Sequence, residues 1–489
     1  MITRADLPGE LNLATWFVDR NMEEGRGDRT ALISPSRTAT YAELARLVNR
    51  CGNLLRGLGV GAQGRVLLVL ADSVEFVALW YGAQKIGAVT AEAYTFLQPK
   101  DYAYYLEYTD AAVVVADETT ERAIRQVAGE RQVLVVDETF RERLEDLSDD
   151  LEPAPTTKDD VALWKFTTGS TGQPKGAVHP VHSPVLSNDW YARGVLGIRE
   201  DDVVLPVPKL FFGYARDLTA LYPFGVGAAG IIFPERTTPD RIFELIAEQR
   251  PTILVNVPTM MAQMVNHPDA GAQDLSCLRL CTSAGEALPR ELHDRWLETF
   301  GVEVLDGIGS SELYHIYISN RPGRARAGST GELVPGYEAE IGETGELLVT
   351  GDTAALLYWG DGEKTKRTFN GDTVRTGDLF ERDDDGYFWY RGRVDDLIKV
   401  GGIWVAPAEI EHCLVGHPDV VECAVVGAAQ NGLTVPRAYV VTRKPVEEAA
   451  LQNFVRERLS PHKYPREVVF VDDLPKTPSG KVDRKALRA

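Results

Sequence analysis

Short, continuously apolar stretches alternate with helical patterns along most of this chain, and this alternation restricts the fold more than any other feature. RVLLVL (65–70), QVLVVD (132–137) and TILVNV (252–257) are of strand length and show no polar alternation. Strands of this kind are buried on both faces, as in parallel sheets covered by helices. A helix is predicted from Thr40, because Thr40 and Glu43 have capping-box spacing. The pattern therefore predicts α/β layers with mainly parallel sheets.

The pattern changes after about residue 325. GSTGELVPGYEAEIGETGELLVTGD (328–352) is dense in glycine and predicts small antiparallel strands joined by turns. From residue 403 onward, strand and helix patterns predict a compact unit of its own. We therefore predict an α/β protein with a large N-terminal domain (1–392) of layered α/β subdomains plus a small β-region. A small, mobile C-terminal α+β domain (393–489) follows.

Composition limits the classes of partner. The chain has 489 residues, a net charge of −20 and a pI near 5.0, which argues against a nucleic-acid or anionic-membrane binder. Its start has no apolar signal region, and its longest apolar runs fall short of the roughly 20 residues of a membrane span. The five cysteines form no CxxC pair, as expected of buried apolar residues in a reducing compartment. We expect a cytoplasmic monomer or homodimer.

A glycine-rich run, TTGSTGQPKG (167–176), follows the apolar stretch VALWKF. Its glycines allow tight turns that point successive N–H groups at one anion. Its threonine and serine hydroxyls and the Lys175 ammonium can face phosphate oxygens. The usual P-loop pattern GxxxxGK[ST] is absent from the sequence. The run therefore predicts either a polyphosphate cradle or a surface loop rich in turn-forming residues.

The same run fills every position of [ST]-[ST]-G-[ST]-T-G-x-P-K-G and resembles the signature of the adenylate-forming superfamily. That superfamily contains acyl-CoA synthetases, luciferases and the adenylation domains of peptide synthetases. Further segments resemble its other motifs in the same order along the chain. They are SAGE (283–286), GIGSSEL (307–313), VRTGDL (374–379), GRVDDLIKVGG (392–402) and PKTPSGKVDRKAL (475–487).

The resemblance implies a site for ATP and Mg²⁺. The implied ATP-binding residues are Thr167, Thr168, Gly169, Ser170, Thr171, Gly172, Lys175, Ser283, Ala284, Gly285, Glu286, Asp306, Gly307, Ile308, Ser311, Asp378 and Arg393. Glu312 is implied as the Mg²⁺ ligand, and Lys481, Glu312 and Thr168 as catalytic residues. The sequence departs from the family at Ile308, where an aromatic residue is usual, and at Ser311, where threonine is usual.

The resemblance also implies two half-reactions separated by a rotation of the small domain. Asp395 corresponds to the hinge, and Lys481 would serve adenylation only. After rotation, Val400, Gly401 and Gly402 would line the tunnel for the pantetheine arm of CoA. Glycines there let the arm pass close to the backbone.

Two segments resemble benzoate-CoA ligases in particular: KLFFGYARDLTALYPFGVGA (209–228) and SSELYHIYISNRPG (310–323). By position, the residues that line the acid pocket are Tyr214, Ala215, Arg216, Gly309, His315 and Ile316. A flat aromatic acid fits between aromatic and aliphatic walls. Arg216 and Asp217 replace small neutral residues of that branch. They either recognise a ring substituent or form an ion pair on the rim of the pocket.

The function predicted from these resemblances is ATP-dependent conversion of an aromatic acid to an aryl-AMP and then to an aryl-CoA thioester. One alternative is transfer of the adenylate to a carrier-protein thiol or an amine. Another is a nucleotide-binding regulator without catalysis. The presence of Lys175, Glu312, Asp378 and Lys481 argues against that second alternative.

Overall fold

The strands of the computed structural model supply the frame of the protein, described for residues 1–35, 37–168, 173–400, 403–430, 433–477 and 482–488. In chain order they are β1 (Thr30–Ile33), β2 (Thr38–Thr40), β3 (Arg65–Val69), β4 (Val89–Glu92), β5 (Val113–Asp117), β6 (Gln132–Val136), β7 (Val161–Thr168), β8 (Pro174–Pro180), β9 (Val203–Pro206), β10 (Ala229–Ile231), β11 (Ile253–Asn256), β12 (Leu280–Ser283), β13 (Val304–Gly309), β14 (Ile316–Ser319), β15 (Glu332–Leu333), β16 (Glu338–Ile341), β17 (Glu346–Thr350), β18 (Leu357–Tyr358), β19 (Phe369–Asn370), β20 (Thr373–Arg382), β21 (Phe388–Arg393), β22 (Ile398–Val400), β23 (Ile403–Val405), β24 (Val420–Gln430), β25 (Leu433–Thr442) and β26 (Glu467–Phe470).

The helices cover the faces of the sheets. They are α1 (Arg20–Glu23), α2 (Tyr41–Gly57), α3 (Val74–Lys85), α4 (Pro99–Thr109), α5 (Glu121–Arg125), α6 (Glu138–Glu145), α7 (His182–Ser187), α8 (Gly213–Ala220), α9 (Pro239–Gln249), α10 (Pro258–Val265), α11 (Arg290–Phe300), α12 (Gly362–Thr368), α13 (Pro407–Val415), α14 (Glu448–Arg456) and α15 (Arg484–Leu487). The predicted start of α2 is confirmed, because Thr40 and Glu43 form a reciprocal capping box.

Two mainly parallel sheets form the large N-terminal part. The first has the strand order β15-β14-β13-β12-β11-β9-β10-β1-β2, and the second has β18-β8-β7-β4-β3-β5-β6. The central pairs of both sheets are parallel, whereas edge pairs such as β13–β14 and β7–β8 are antiparallel. The predicted α/β class is thus confirmed.

The later segments form smaller sheets, as their glycine-rich and mixed patterns predict. Strands β16, β17, β20, β19 and β21 make an antiparallel sheet. Strands β22 and β23 form a hairpin, and β24, β25 and β26 form a sheet that packs with α13 and α14 around a separate hydrophobic core. The boundary near residue 393 stays a prediction, and it coincides with the passage from β21 to β22.

The state of the cysteines and the length of the helices relate to two predictions, that of unpaired cysteines and that of no membrane span. All five cysteines are free thiols; Cys51, Cys281 and Cys423 are buried, and Cys277 and Cys413 are half-buried. Across the described ranges, every helix is too short or too polar to span a membrane.

Candidate active site

The two described ends of the glycine-rich run lie at the end of β7 and the start of β8. Thr167 pairs with Lys175, and Thr168 pairs with Pro174. The run therefore hangs from a strand end, as predicted. Four predicted phosphate-binding residues, Gly169, Ser170, Thr171 and Gly172, lie outside the described residues. Residues at the carboxyl ends of such strands commonly form the ligand site of an open α/β sheet.

Lys175 lies near the start of β8, in the antiparallel hairpin of β7 and β8. Its Nζ is 3.6 Å from Asp361 Oδ2 and 5.8 Å from the ring centroid of Tyr358. The lysine side chain is half-buried. Its predicted contact with a phosphate stays a prediction.

The turn that carries Glu312 is tied to the hairpin by two hydrogen bonds. After β13, residues Ser311–Leu313 form a single 3-10 turn. Ser311 Oγ donates to the carbonyl oxygen of Phe166 at 3.3 Å, and His179 Nε2 donates to the carbonyl oxygen of Ser311 at 2.6 Å. These bonds join the first sheet to the second, and they hold Glu312 beside the glycine-rich hairpin.

Tyr358 orients Glu312, and the sequence analysis did not identify it. The phenol of Tyr358 donates to Glu312 Oε1 at 2.6 Å. Burial and the charge of Glu312 raise the pKa of Tyr358, so the phenol keeps its proton. The other carboxylate oxygen, Oε2, is the one that can ligate a cation. Tyr358 is on β18, which pairs with β8, and the aromatic pair in LYWGD was the only signal for it.

The residues at this site fit a magnesium ion that is held mostly by its substrate. Within the described ranges, no three histidine, cysteine or acidic side chains cluster as a metal site. Glu312 offers one carboxylate oxygen, and the nearby Ser310 hydroxyl is buried without a hydrogen-bond partner. Mg²⁺ is usually bound by one or two carboxylates together with phosphates and water.

The predicted nucleotide residues after β12 and within β13 lie side by side. These strands are parallel neighbours, and Ser283 pairs with Asp306. Burial raises the pKa of Asp306 well above its ordinary value. Ala284 and Gly307 are buried, and Ile308 is half-buried. Ile308 is thus able to present an aliphatic face where the family has an aromatic one.

In the loop after Ala284, the predicted ATP-binding residue Glu286 makes hydrogen bonds within the protein. Gly285 has φ +89°, a backbone conformation that favours glycine. The carboxylate of Glu286 accepts from both the N–H and the Oγ1 of Thr259, at 3.1 and 2.7 Å. Glu286 therefore holds its loop against the first turn of α10.

Asp378 and Arg393, two of the predicted ATP-binding residues, meet on adjacent strands. They are register partners in β20 and β21, and Arg393 Nη1 donates to Asp378 Oδ1 at 2.9 Å. Gly377 has φ +71°, and an added Cβ would lie 3.0 Å from Arg393 Nη2. The glycine therefore lets the guanidinium lie across the turn, and the predicted contact with a ribose stays a prediction.

The predicted acid-pocket residues also come together. The rings of Tyr214 and His315 are 5.6 Å apart, and the carbonyl oxygen of Tyr214 is 3.3 Å from His315 Nε2. Ile316 pairs with Gly309 across β13 and β14. A Cβ at Gly309 would lie 2.5 Å from the carbonyl oxygen of His315, so only glycine allows this pairing. Ala215 is buried behind Tyr214, in α8.

His315 is an uncharged wall of this pocket. Burial and the nearby Lys165 ammonium lower its pKa to about 3. The rings of Tyr191 and Tyr222 lie 5.4 and 5.0 Å from the imidazole. Its Nδ1 is buried without a hydrogen-bond partner. The imidazole therefore offers a ligand packing surface and one neutral polar atom.

Arg216 departs from one of its two sequence-based interpretations, the ion pair on the rim, whereas recognition of a ring substituent stays a prediction. Its side chain is 3% exposed, so its ion pair is internal and the prediction of a rim position was wrong. Its guanidinium donates to Asp217 Oδ1 at 2.9 and 3.0 Å and to Glu92 Oε1 at 2.6 Å. Lys165, which the sequence analysis overlooked, donates to Asp217 Oδ2 at 2.5 Å. We call Lys165, Arg216, Asp217 and Glu92 the buried charge cluster.

The predicted hinge lies in a 3-10 turn, Val394–Asp396, where Asp395 is exposed. On one side, Arg393 pairs with Asp378 of β20. On the other, Asp396 pairs with Arg484 and Arg488, at 3.5 and 2.8 Å. The two flanks of Asp395 are therefore tied to different parts of the protein.

The remaining predicted residues belong to the C-terminal part. Val400 is buried on β22. Gly401, Gly402 and Lys481 lie outside the described residues, and their roles stay predictions.

Comparison with known proteins agrees with this geometry. Residues 18–362 match the model of the AMP-binding enzyme family, and residues 409–481 match that of the AMP-binding enzyme C-terminal domain. The chain is 41% identical to the benzoate–CoA ligase of Thauera aromatica, over 99% of this chain and 97% of that protein.

Two solved structures are also similar. An anthranilate CoA ligase in complex with anthranoyl-AMP superposes with a TM-score of 0.95 at 36% identity, covering 99% of this chain and 98% of that one. A benzoate CoA ligase from Burkholderia xenovorans superposes with a TM-score of 0.91 at 40% identity, covering 98% and 100%.

Proposed function

The chain belongs to the AMP-binding enzyme family, and from this premise we propose that it is an aryl-CoA ligase. It activates benzoate or a substituted benzoate with ATP to an aryl-AMP, and it then transfers the aryl group to the thiol of CoA. The full-length likeness to the benzoate–CoA ligase of Thauera aromatica supports this substrate class.

The observation that carries the proposal is an uncharged wall made by the adjoining Tyr214 and His315 rings, whose centroids lie 5.6 Å apart, and continued by Ile316. We propose that the space against this wall is the acid slot. A flat ring is held in such a slot mainly by packing on its faces. The neutral imidazole of His315 adds no charge that would favour a second carboxylate. The slot borders the turn of Glu312, so the carboxylate of a bound acid would face the phosphates.

In the first half-reaction, a carboxylate oxygen of the acid attacks the α-phosphorus of ATP, and pyrophosphate departs with the electrons of the broken P–O bond. The protein contributes chiefly alignment and charge neutralisation. Lys175 and the hydroxyls of the hairpin would face the β- and γ-phosphates. Asp378 would accept hydrogen bonds from the ribose hydroxyls, and Arg393, which donates to Asp378, would contact the same ribose or the α-phosphate.

Glu312 would hold Mg²⁺ through Oε2, directly or through water, with Oε1 fixed by Tyr358. When bound, the ion neutralises charge on the phosphate oxygens. This division of the two carboxylate oxygens makes Tyr358 the orienting partner of the metal ligand.

Tyr358→Phe tests this arrangement, because it removes one hydroxyl and keeps the ring. The half-saturating Mg²⁺ concentration for acid-dependent pyrophosphate exchange is expected to rise roughly tenfold, as for other lost partners of metal ligands. The matched control is Tyr102→Phe, because the Tyr102 hydroxyl donates to the carbonyl oxygen of Tyr94 and not to Glu312. An unchanged Mg²⁺ requirement in Tyr358→Phe would remove Tyr358 from this role.

In the second half-reaction, the CoA sulfur attacks the carbonyl carbon of the aryl-AMP. The C–S bond forms, the C–O bond to phosphate breaks, AMP departs and the thiol proton is released. Val400, Gly401 and Gly402 would border the path of the pantetheine arm. The rotation at Asp395 would bring this segment to the site.

A screen of carboxylic acids, with CoA added or withheld and products read by mass spectrometry, tests the function. Benzoate, hydroxybenzoates and aminobenzoates are expected to exceed acetate and long-chain fatty acids in kcat/KM. The aryl-CoA mass should appear only when CoA is present. Each methylene misfit in such a pocket changes discrimination by about 1–3 kcal/mol.

The contrary results are distinct. Preference for an aliphatic acid would remove the aryl assignment and keep the adenylation chemistry. Aryl-AMP without thioester in the presence of CoA would point to the alternative acceptors, a carrier-protein thiol or an amine.

A further inference from the structure

The chain makes a strained turn at Tyr314, between Glu312 and the acid slot. Tyr314 has φ +72° and ψ −56°, and the N–H of His315 donates to the carbonyl oxygen of Leu313 at 2.9 Å. This is a γ-turn with a left-handed centre, which is rare and strained for a residue with a side chain. Tyr314 is fully buried. Such a conformation persists only where the surroundings hold it in place.

Lys165 holds both parts of Tyr314. Its Nζ donates to the carbonyl oxygen of Tyr314 at 2.6 Å and lies 3.6 Å from the centroid of the Tyr314 ring. A Cβ at Gly213 would lie 2.9 Å from the same Nζ, so the lysine reaches the turn by passing against a glycine. One ammonium thus contacts the backbone and the ring face of the strained residue.

The buried charge cluster keeps this ammonium in place. Asp217 is fully buried and binds Lys165 through one oxygen and Arg216 through the other. Arg216 in turn binds Glu92, which also accepts from Trp80 Nε1 at 2.7 Å. Burial lowers the pKa of Lys165 to about 8 against the attraction of Asp217. Buried ion pairs seldom stabilise a fold more than apolar residues do, whereas they can fix one arrangement.

We propose that Lys165, held by Asp217, is a positioning residue that clamps the Tyr314 turn and thereby sets Glu312 and His315 relative to each other. The clamp joins the phosphate side of the site to the acid slot. Its effect on catalysis rests on the proposed function, and its effect on the turn does not.

The test compares Lys165→Met with Lys85→Met. Lys85 is also a buried lysine, 5% exposed, paired with Asp19 at 2.8 Å, and it is not part of the site described above. Both variants should lower the Tm. Only Lys165→Met should lower kcat for acid-dependent pyrophosphate exchange, by roughly tenfold to a hundredfold, with KM for ATP changed less than about threefold. Equal kinetics in the two variants would overturn the proposal.

Hydrogen exchange supplies a readout that needs no activity. In the ligand-free enzyme, peptides covering residues 310–317 should exchange faster in Lys165→Met and unchanged in Lys85→Met. If the wild type formed no aryl-AMP, the proposed function would fail, and this exchange difference alone would decide the clamp. Unaltered exchange in Lys165→Met would refute it.

Two further variants complete the test. One serves if Lys165→Met folds poorly, and the other separates the effect of backbone strain at Tyr314 from the effect of side-chain packing. Asp217→Asn keeps the shape of the cluster but removes the charge that holds Lys165. It should lower kcat and speed exchange in residues 310–317, each by less than Lys165→Met does. In a Tyr314→Gly background the turn is no longer strained. There, Lys165→Met should reduce kcat only a few-fold further. A full additional loss would show that Lys165 acts in another way.

Discussion

Lys481→Ala is expected to abolish acid-dependent pyrophosphate release while leaving the second half-reaction nearly intact. The resemblance implies that Lys481 neutralises charge that develops during adenylation, so its loss should lower the first rate by roughly 10²–10³-fold. A synthetic aryl-AMP should still be converted to its thioester with CoA at close to the wild-type rate. Single-turnover assays of each half-reaction measure the two effects separately.

The described residues on either side of Lys481 belong to the C-terminal part. Lys476 and Val482 form an antiparallel bridge. Arg484 binds Glu411 at 2.8 Å and the carbonyl oxygen of Val425 at 3.0 Å, in α13 and β24. If the small domain rotates between the half-reactions, as the resemblance implies, these flanking residues would move with it, which is why we expect a selective loss. Lys485→Ala, an exposed lysine of the same segment, is the control. Equal loss of both half-reactions would refute a role limited to adenylation.

Asp395→Pro is expected to let aryl-AMP form and accumulate while thioester formation falls by roughly a hundredfold. Proline fixes φ near −65° and restricts the residue before it, so the turn loses the freedom a rotation needs. Burst kinetics of adenylate formation and steady-state thioester output provide the measurement.

The ion pairs around the turn limit which residues could act as the pivot of the predicted rotation. Arg393 is tied to Asp378, and Asp396 is tied to Arg484 and Arg488, so a rotation that kept these ion pairs would be confined to the short stretch between them. Asp395→Ala removes the side chain without fixing φ and should preserve thioester output. If Asp395→Pro produced thioester as fast as Asp395→Ala, the pivot would lie elsewhere.

Much of the fold followed from patterns that are local in the chain. The apolar runs of β3, β6 and β11 and the capping box of α2 depend on neighbouring residues, and all are present. The ordered motifs also identified Glu312, Asp378 and Arg393 as site residues, and their roles stay predictions. In such motifs the spacing along the chain is itself the signal.

The parts that were missed depend on contacts between distant segments. Lys165 looks like an interruption of an apolar strand, and its partner Asp217 is 52 residues away. Tyr358 reaches Glu312 across 46 residues. A rim position was one of the two interpretations of Arg216, because charged residues are rarely buried unless paired, and Glu92, its second partner, has no motif of its own.

The buried charge cluster also constrains how this enzyme can evolve. Its cations and carboxylates alternate, so each group balances its neighbours. Removing one partner of a buried pair typically destabilises a protein by about 3–5 kcal/mol, much of the 5–15 kcal/mol that keeps a domain folded. Arg216 and Glu92 are thus epistatic. A lineage that moves toward small neutral residues in this wall must change both together, or first gain stability elsewhere.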